Sequence, residues 1–408
     1  MAKVQDNFQK SIGFFSHHGI KTGTTRIRCC NAVEHLKHLN INSKVNFIYR
    51  SFPKKSHTII ILHRPFMNNH VFYFIKYIKM LNIPIVYDID DLLFDEIFQK
   101  KINKEKSKDY IKIIKECDFV TVSTNFLKNK ISIYNSNTFL IKNTISNSFF
   151  SGSTKNYISK NIYKDTIVLA YLSGSKSHDA DFSVIENTLV SILEKYDFVK
   201  LLIVGYLNFN HLIFQKFNNR IEHMAKIEYS DYHNIFKEID INLVPLELND
   251  FCHAKSELKY IEAGASGIPS VLSHTKTHEE IIINGKNGFL CYNDKDWFRN
   301  LSLLIENEKL RNKIGKAARI DVEENYTSKS RANDWNMFLK KIFRENNNIK
   351  QTSIIKLSKY KMLLKIYIAY RWVIWSSKKI KNIINRKISI LTNAVAFCGF
   401  FILETTIN

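Results

Sequence analysis

Apolar residues run along this chain in two rhythms. Short unbroken apolar blocks read as buried strands. Between them, apolar residues return at every third or fourth position, the period of a helix that buries one side. The first block is 11–16 (SIGFFS), followed by a loop at 17–25 that holds Gly19 and Gly23. A helix at 26–39 then turns Ile27, Ala32, Val33, Leu36 and Leu39 inward. Strands are predicted at 44–49, 58–62, 84–87, 119–123 and 138–141, with helices at 71–81, 110–117 and 125–131 among them. The stretch 143–164 is polar, rich in Ser and Asn and without period, and reads as a linker. Strands resume at 167–171, 200–204, 239–246 and 270–273, with a helix at 181–196 and a further strand–helix unit opening at 220–228. Helices close the pattern at 297–305, 310–324 and 328–343. This alternation predicts an α/β protein of two doubly wound parallel-sheet domains, in residues 1–165 and 166–345.

The chemistry is densest at 252–273, CHAKSELKYIEAGASGIPSVLS. Leu258, Ile261, Ala265 and Ile268 fall at helical spacing. Gly264 and Gly267 suit a helix that packs closely on a sheet and stops before Pro269. With strands ahead and behind, the loop before this helix opens at the carboxyl end of a parallel sheet, where open α/β folds bind ligands. A helix N-terminus carries unpaired N–H groups and roughly +0.5 of an elementary charge, which suits phosphate. Lys255 and Ser256 stand there, Lys259 follows one turn on, and Glu262 one further turn along is spaced to accept from ribose hydroxyls. Phosphate at the tip and sugar one turn in describe a nucleotide-diphosphate site.

Residues 262–269 (EAGASGIP) resemble the EAMAAGVPV segment of GT-B glycosyltransferases, in the group of retaining, nucleotide-sugar-dependent enzymes. In that family the glutamate opening the segment holds the donor ribose, and the preceding helix start holds the diphosphate. The family usually pairs it with an earlier glutamate, whose position here is Ala254. The chain is more similar to a subgroup with Lys-Ser ahead of the helix, as in Lys255-Ser256-Glu257-Leu258-Lys259. The segment GSKSHDADF, opening at Gly174, resembles that subgroup's loop after the first donor-domain strand. Small residues such as Gly174 and Ser175 let a backbone approach phosphate, and Lys176 adds charge. Residues 284–290 (NGKNGFL) resemble the turn that follows. The resemblance spans 11–343. It implies two Rossmann-like domains facing a cleft, the donor in the second and the acceptor in the first, with a terminal helix crossing back onto the first.

The strand at 84–87 ends in acid, with Asp88, Asp90 and Asp91 in close succession. Carboxylates crowded past a buried strand are costly unless a cation, hydrogen bonds or catalysis offsets them. An Asp-x-Asp pair also fits a metal, as in the unrelated GT-A enzymes; that reading ranks second, because the donor apparatus lies in the other half. A helix cap by Asp91 with solvated neighbours is the plainer alternative. The stretch IVYDIDDLLFD resembles first domains of the same subgroup, where a histidine often stands near the transferred sugar; Asp90 takes that position here. Asp88, Asp90 and Asp91 are therefore the candidate catalytic residues. Arg26 and Arg28, at a helix start, are the candidates to meet an anionic acceptor or donor, with a solvated pair as the alternative.

Composition adds one feature. The 408 residues carry 60 Lys and Arg against 38 Asp and Glu, a net charge of +22. Residues 346–403 hold no acid, and 356–387 supply ten Lys and Arg interleaved with Leu, Ile, Tyr, Trp372 and Trp375. That is the composition of a helix lying in an anionic membrane surface. The uncharged run 388–403 is shorter than the ~20 residues a span needs. Peripheral association with the inner face of the plasma membrane is expected. Six cysteines without metal-ligand spacing read as reduced thiols of a cytoplasmic protein, and the polar start shows no signal peptide. Basic residues do not interleave with aromatics within either domain core, which argues against nucleic acid.

The expectation is an enzyme that moves a sugar from a nucleotide diphosphate to a hydroxyl of a surface glycan or lipid-linked acceptor. Retention is implied by the resemblance. No metal and no cofactor are called for, because lysines and helix N-termini stabilise the leaving diphosphate. A GT-B nucleotide-sugar epimerase and a basic nucleic-acid-binding protein are the competing readings.

Overall fold

The apolar blocks fold as twelve strands among the described residues, six in each of two sheets. In the first, β1 (Ser11–Ser16), β2 (Asn42–Phe47), β3 (Ile59–His63), β4 (Ile85–Ile89), β5 (Phe119–Val122) and β6 (Thr138–Leu140) lie in the order β2-β1-β3-β4-β5-β6. In the second, β7 (Ile167–Ser173), β8 (Val199–Gly205), β9 (Ile221–Met224), β10 (Ile241–Val244), β11 (Ser270–Ser273) and β12 (Phe289–Cys291) lie in the order β12-β11-β10-β7-β8-β9. Every pairing is parallel. Strands such as β3 and β4 are buried at each position, which is why they read as unbroken apolar runs. The computed structural model describes residues 11–94, 104–159, 166–174 and 179–345. The predicted basic tail, 346–408, lies outside them. Met1–Met67 with Ile83–Lys350 makes one unit, and Asn68–Asn82, which contains the helix Asn69–Met80, belongs to another.

Strand order places the sites. In each sheet the chain begins centrally, winds to one side and returns to the other, leaving a switch point where neighbouring strands send their loops to opposite faces. The first switch point lies between β1 and β3, the second between β7 and β10. The period of two along β7 feeds both layers of the second domain. Leu169 and Tyr171 pack with Leu189, Ile192 and Trp297, while Ala170 and Leu172 pack with Ile261, Ala263 and Val322. The last helix, Ser328–Glu345, contributes Trp335, Phe338, Leu339 and Ile342 to the core of the first sheet, beside Phe14, Leu36 and Phe119. It crosses back as the resemblance implied. No helix among the described residues is long and apolar enough to cross a membrane.

Some expectations fail, each for a tertiary reason. The stretch 143–164 is not all linker, because Asn147–Ser159 is helical. Ser146 Oγ accepts from Phe149 N at 3.2 Å, and the Phe149 ring packs against Tyr229, Tyr232 and Phe236. The single helix predicted at 181–196 is two, Asp179–Ser183 and Glu186–Lys195. Cys252 sits in a separate turn of helix, Asp250–His253, ahead of Leu258–Ala265. Gly264 packs on a helix, not on the sheet: a Cβ there would lie 2.9 Å from Val322 Cγ2 and 3.2 Å from Ala318 O, both on Glu308–Asn325. The stop before Pro269 does form. Gly267 is left-handed at φ +69°, its N–H reaches Gly264 O at 2.8 Å, and Ile268 N reaches Ala263 O at 3.1 Å. This is the paired Schellman closure, which favours glycine at its left-handed position.

Candidate active site

The first switch point gathers polar side chains from several strand ends. Asp88, at the end of β4, is buried and bound by Arg28, with Nη2 2.6 Å from Oδ1 and Nε 3.2 Å from Oδ2. His63 Nδ1 lies 2.9 Å from Oδ2, and Thr121 Oγ1 donates to Oδ1 at 2.7 Å. Burial alone would raise this carboxyl; Arg28 and His63 instead hold it well below the usual carboxylate range. Both oxygens are committed, and so is the guanidinium, whose Nη1 donates to Ile141 O at 2.6 Å and Asn143 Oδ1 at 2.9 Å. The structure therefore corrects two expectations: Asp88 and Arg28 form a buried pair with each other and present neither charge to a substrate. Arg26 stacks 4.4 Å from the centre of the Tyr229 ring, so it bridges to the second domain.

Asp90 and Asp91 are arranged differently. Arg64 lies between them, with Nη1 3.2 Å from Asp90 Oδ1 and Nη2 2.8 Å from Asp91 Oδ2. Thr24 Oγ1 donates to Asp90 Oδ2 at 3.0 Å and receives Arg64 Nη1 at 3.1 Å. Arg64 is left-handed at φ +54°, a strained conformation for a bulky residue, and its backbone N–H donates to Asp88 O at 3.0 Å. Asp91 is raised by desolvation, against the pull of Arg64, with Asp90 raising it further and Lys255 of the second domain lowering it. His18, on the loop after β1, is lowered from the usual imidazole range by burial and then by the charges of Arg64 and His63, against Asp90. Hydrogen bonds and ion pairs thus offset the crowding of acids, and among the described residues no three His, Cys, Asp or Glu converge as a metal cluster. His63 and Arg64 escaped the sequence reading. Their signal is position, since both stand at the end of β3, beside the switch point.

The second switch point carries the lysines. Lys255 Nζ pairs with Asp181 Oδ2 at 2.6 Å, while Asp181 Oδ1 accepts from Glu247 N at 3.3 Å and Cys252 Sγ at 3.4 Å. Lys259 Nζ is buried without a hydrogen-bond partner and lies 4.4 Å from the centre of the Tyr171 ring. Burial, then the charge of Lys255, lowers it to about 8. Glu262 is buried and pushed up to about 8 by desolvation, opposed by the charge of Lys259 and a hydrogen bond with Tyr232. Lys255 and Lys259 thus both stand at the start of the helix Leu258–Ala265, the end of a helix that suits an anion. Asp181 and Tyr171 were not predicted, though Asp181 lies within the GSKSHDADF segment. Gly174 ends the described part of that loop, and Ser175 and Lys176 lie outside the described residues.

Residues after β5 and β6 join the two edges. Asn143 Nδ2 donates to Ser256 Oγ at 2.8 Å, Thr124 Oγ1 to Ala254 O at 3.2 Å and Asn125 Nδ2 to Glu280 Oε2 at 2.8 Å, while Lys130 pairs with Asp250. Ala254, the position at which the resemblance leads one to expect a glutamate, is buried, and its carbonyl is the acceptor for Thr124.

Residues 187–336 match a family model described as Glycosyl transferase-like. No curated protein matches the chain by sequence. Among solved structures, HepE of Anabaena in complex with UDP and glucose is similar at a TM-score of 0.59 and 13% identity, over 81% of this chain and 99% of that one. Sucrose-phosphate synthase of Thermosynechococcus elongatus is similar at 0.59 and 13%, over 82% and 100%. A Listeria monocytogenes protein assigned as a UDP-N-acetylglucosamine 2-epimerase is similar at 0.52 and 13%, over 85% and 100%. At such identities the likeness speaks for the fold, two parallel-sheet domains of GT-B type. The family match over 187–336 and this likeness of fold make the chain similar to glycosyltransferases of GT-B fold.

Proposed function

We propose that the protein transfers a sugar from a nucleotide diphosphate to a hydroxyl of a surface glycan or lipid-linked acceptor, with retention at the anomeric carbon. The observation that carries this reading is the helix start itself: Lys255, paired with Asp181, and the buried, unpartnered Lys259 stand at the start of Leu258–Ala265, with Glu262 one turn further in. As the anomeric carbon–oxygen bond breaks, negative charge grows on the leaving diphosphate. Lysines fixed beforehand stabilise that charge without reorganising. Asp90, oriented by Thr24 and Arg64, positions the acceptor hydroxyl. The basic residues of 346–408 would hold the enzyme at an anionic membrane surface, where a lipid-linked acceptor lies.

UDP is the first nucleotide to test, because HepE binds UDP and glucose on this fold. Thermal unfolding against a panel of UDP-, GDP- and ADP-sugars should show protection by one of them, about 2.7 kcal/mol at a hundredfold excess over Kd. A panel without effect overturns the reading. Turnover of the protecting sugar nucleotide without an acceptor, to an altered sugar, would instead establish an epimerase.

A further inference from the structure

We propose that Asn143 is a positioning residue that directs the Ser256 hydroxyl toward the donor's diphosphate, an inference that rests on the nucleotide-diphosphate reading above. Asn143 lies on the stretch connecting the two sheets and is 4% exposed. Each end of its amide has one partner. Oδ1 receives Arg28 Nη1 at 2.9 Å, and Nδ2 donates to Ser256 Oγ at 2.8 Å. Chemistry dictates that orientation, because a guanidinium offers only donors and an amide nitrogen cannot accept from it. Arg28 cannot turn away, since its other N–H groups are held by Asp88 and Ile141 O. A buried ion pair in the first domain therefore sets which end of the amide faces the second.

The consequence falls on Ser256. Its oxygen is occupied as an acceptor, so its own hydrogen is free to be donated elsewhere, and among the described residues Ser256 Oγ makes no other hydrogen bond. Ser256 stands just ahead of the helix Leu258–Ala265, whose N-terminus has no side-chain cap. The buried, unpartnered Nζ of Lys259 is on the first turn of the same helix. This ammonium is a second, independent donor at the same helix start, buried and without a hydrogen-bond partner. Hydrogen bonds from neutral donors to charged oxygens are the stronger kind, so a hydroxyl presented donor-first contributes, and one turned the other way does not.

Asn143→Asp reverses this single property. A carboxylate keeps the contact with Arg28, but it can only accept, so Ser256 must turn its hydrogen back toward residue 143. UDP binding is measured by calorimetry for the wild type, N143D, S256A and the double variant, with thermal midpoints as the folding control. S256A and N143D should each weaken UDP binding roughly tenfold to a hundredfold. The double variant should be no weaker than the worse single one, because both act through one hydroxyl. Wild-type affinity in N143D overturns the proposal, and so do multiplicative losses in the double variant, which would show that the new charge simply repels the diphosphate. If N143D does not fold, S256A still decides: it must weaken UDP and leave uridine binding unchanged, and equal losses for both ligands overturn the link. A wild-type protein that binds no nucleotide diphosphate removes the underlying reading itself, an outcome distinct from nucleotide binding with a failed cycle.

Discussion

Glu262→Gln tests the electrostatics of the helix Leu258–Ala265 without any ligand. The Glu262 side chain is buried, with the residue 7% exposed, and its carboxyl is pushed up from 4.5 to about 8. Desolvation is the main cause, with the charge of Lys259 and the Tyr232 hydrogen bond pulling the other way. The sign follows from counting protons. Between pH 4.5 and about 8 the folded chain keeps a proton that the unfolded chain has released, so stability falls as pH rises through that window. Each unit is worth about 1.4 kcal/mol, which makes the whole window about 5 kcal/mol as an upper bound. Glutamine has no proton to release. Its stability should equal the wild type's near the acid end of the window and exceed it by as much as about 4 kcal/mol after a climb of about three units. Lys259, lowered to about 8, acts above that pH in the opposite direction, and because Glu262 raises it the comparison is made below that pH. Urea unfolding followed by tryptophan fluorescence at stepped pH reads the difference directly. A gap between the two proteins that stays constant across the window would refute the reasoning, since it would mean that Glu262 titrates like an exposed acid.

Other outcomes follow from the same geometry. Glu262→Ala should weaken nucleotide binding by about 1–3 kcal/mol, read by calorimetry. Asp90→Asn should lower turnover more than nucleotide affinity, and chelator should leave turnover unchanged; loss in EDTA with recovery in manganese would return Asp90 and Asp91 to a metal role. Gly315→Ala should destabilise by about 1–3 kcal/mol, because its Cβ would stand 2.0 Å from Gly267 O at the stop of the helix Leu258–Ala265. An unchanged thermal midpoint would show that the two helices can separate freely. Deleting residues 350–408 should abolish flotation with anionic liposomes, and equal flotation of both forms would end the membrane proposal.

The sequence by itself determined the elements and their sheet class. Burial on both faces writes an unbroken apolar run, and burial on one face writes a helical stripe, so β1 and β11 were legible to the residue. The helix Leu258–Ala265 and its glycine stop were legible for the same local reason. Partners of buried charges were not. Asp88 and Arg28 read as site residues because sequence shows a charge but not what stands opposite it. Only the folded chain brings Arg28 to Asp88 and, across 115 positions, to Asn143. The polar stretch after β6 read as linker because Asn143, Thr144 and Ser146 are buried by hydrogen bonds to distant residues, and hydrogen bonding leaves no period in composition. Arg64 and Asp181 were hidden in the same way. Periodicity records which side of an element faces inward, a local property. The neutralising of a buried charge is a meeting of separate elements, and tertiary structure alone decides it.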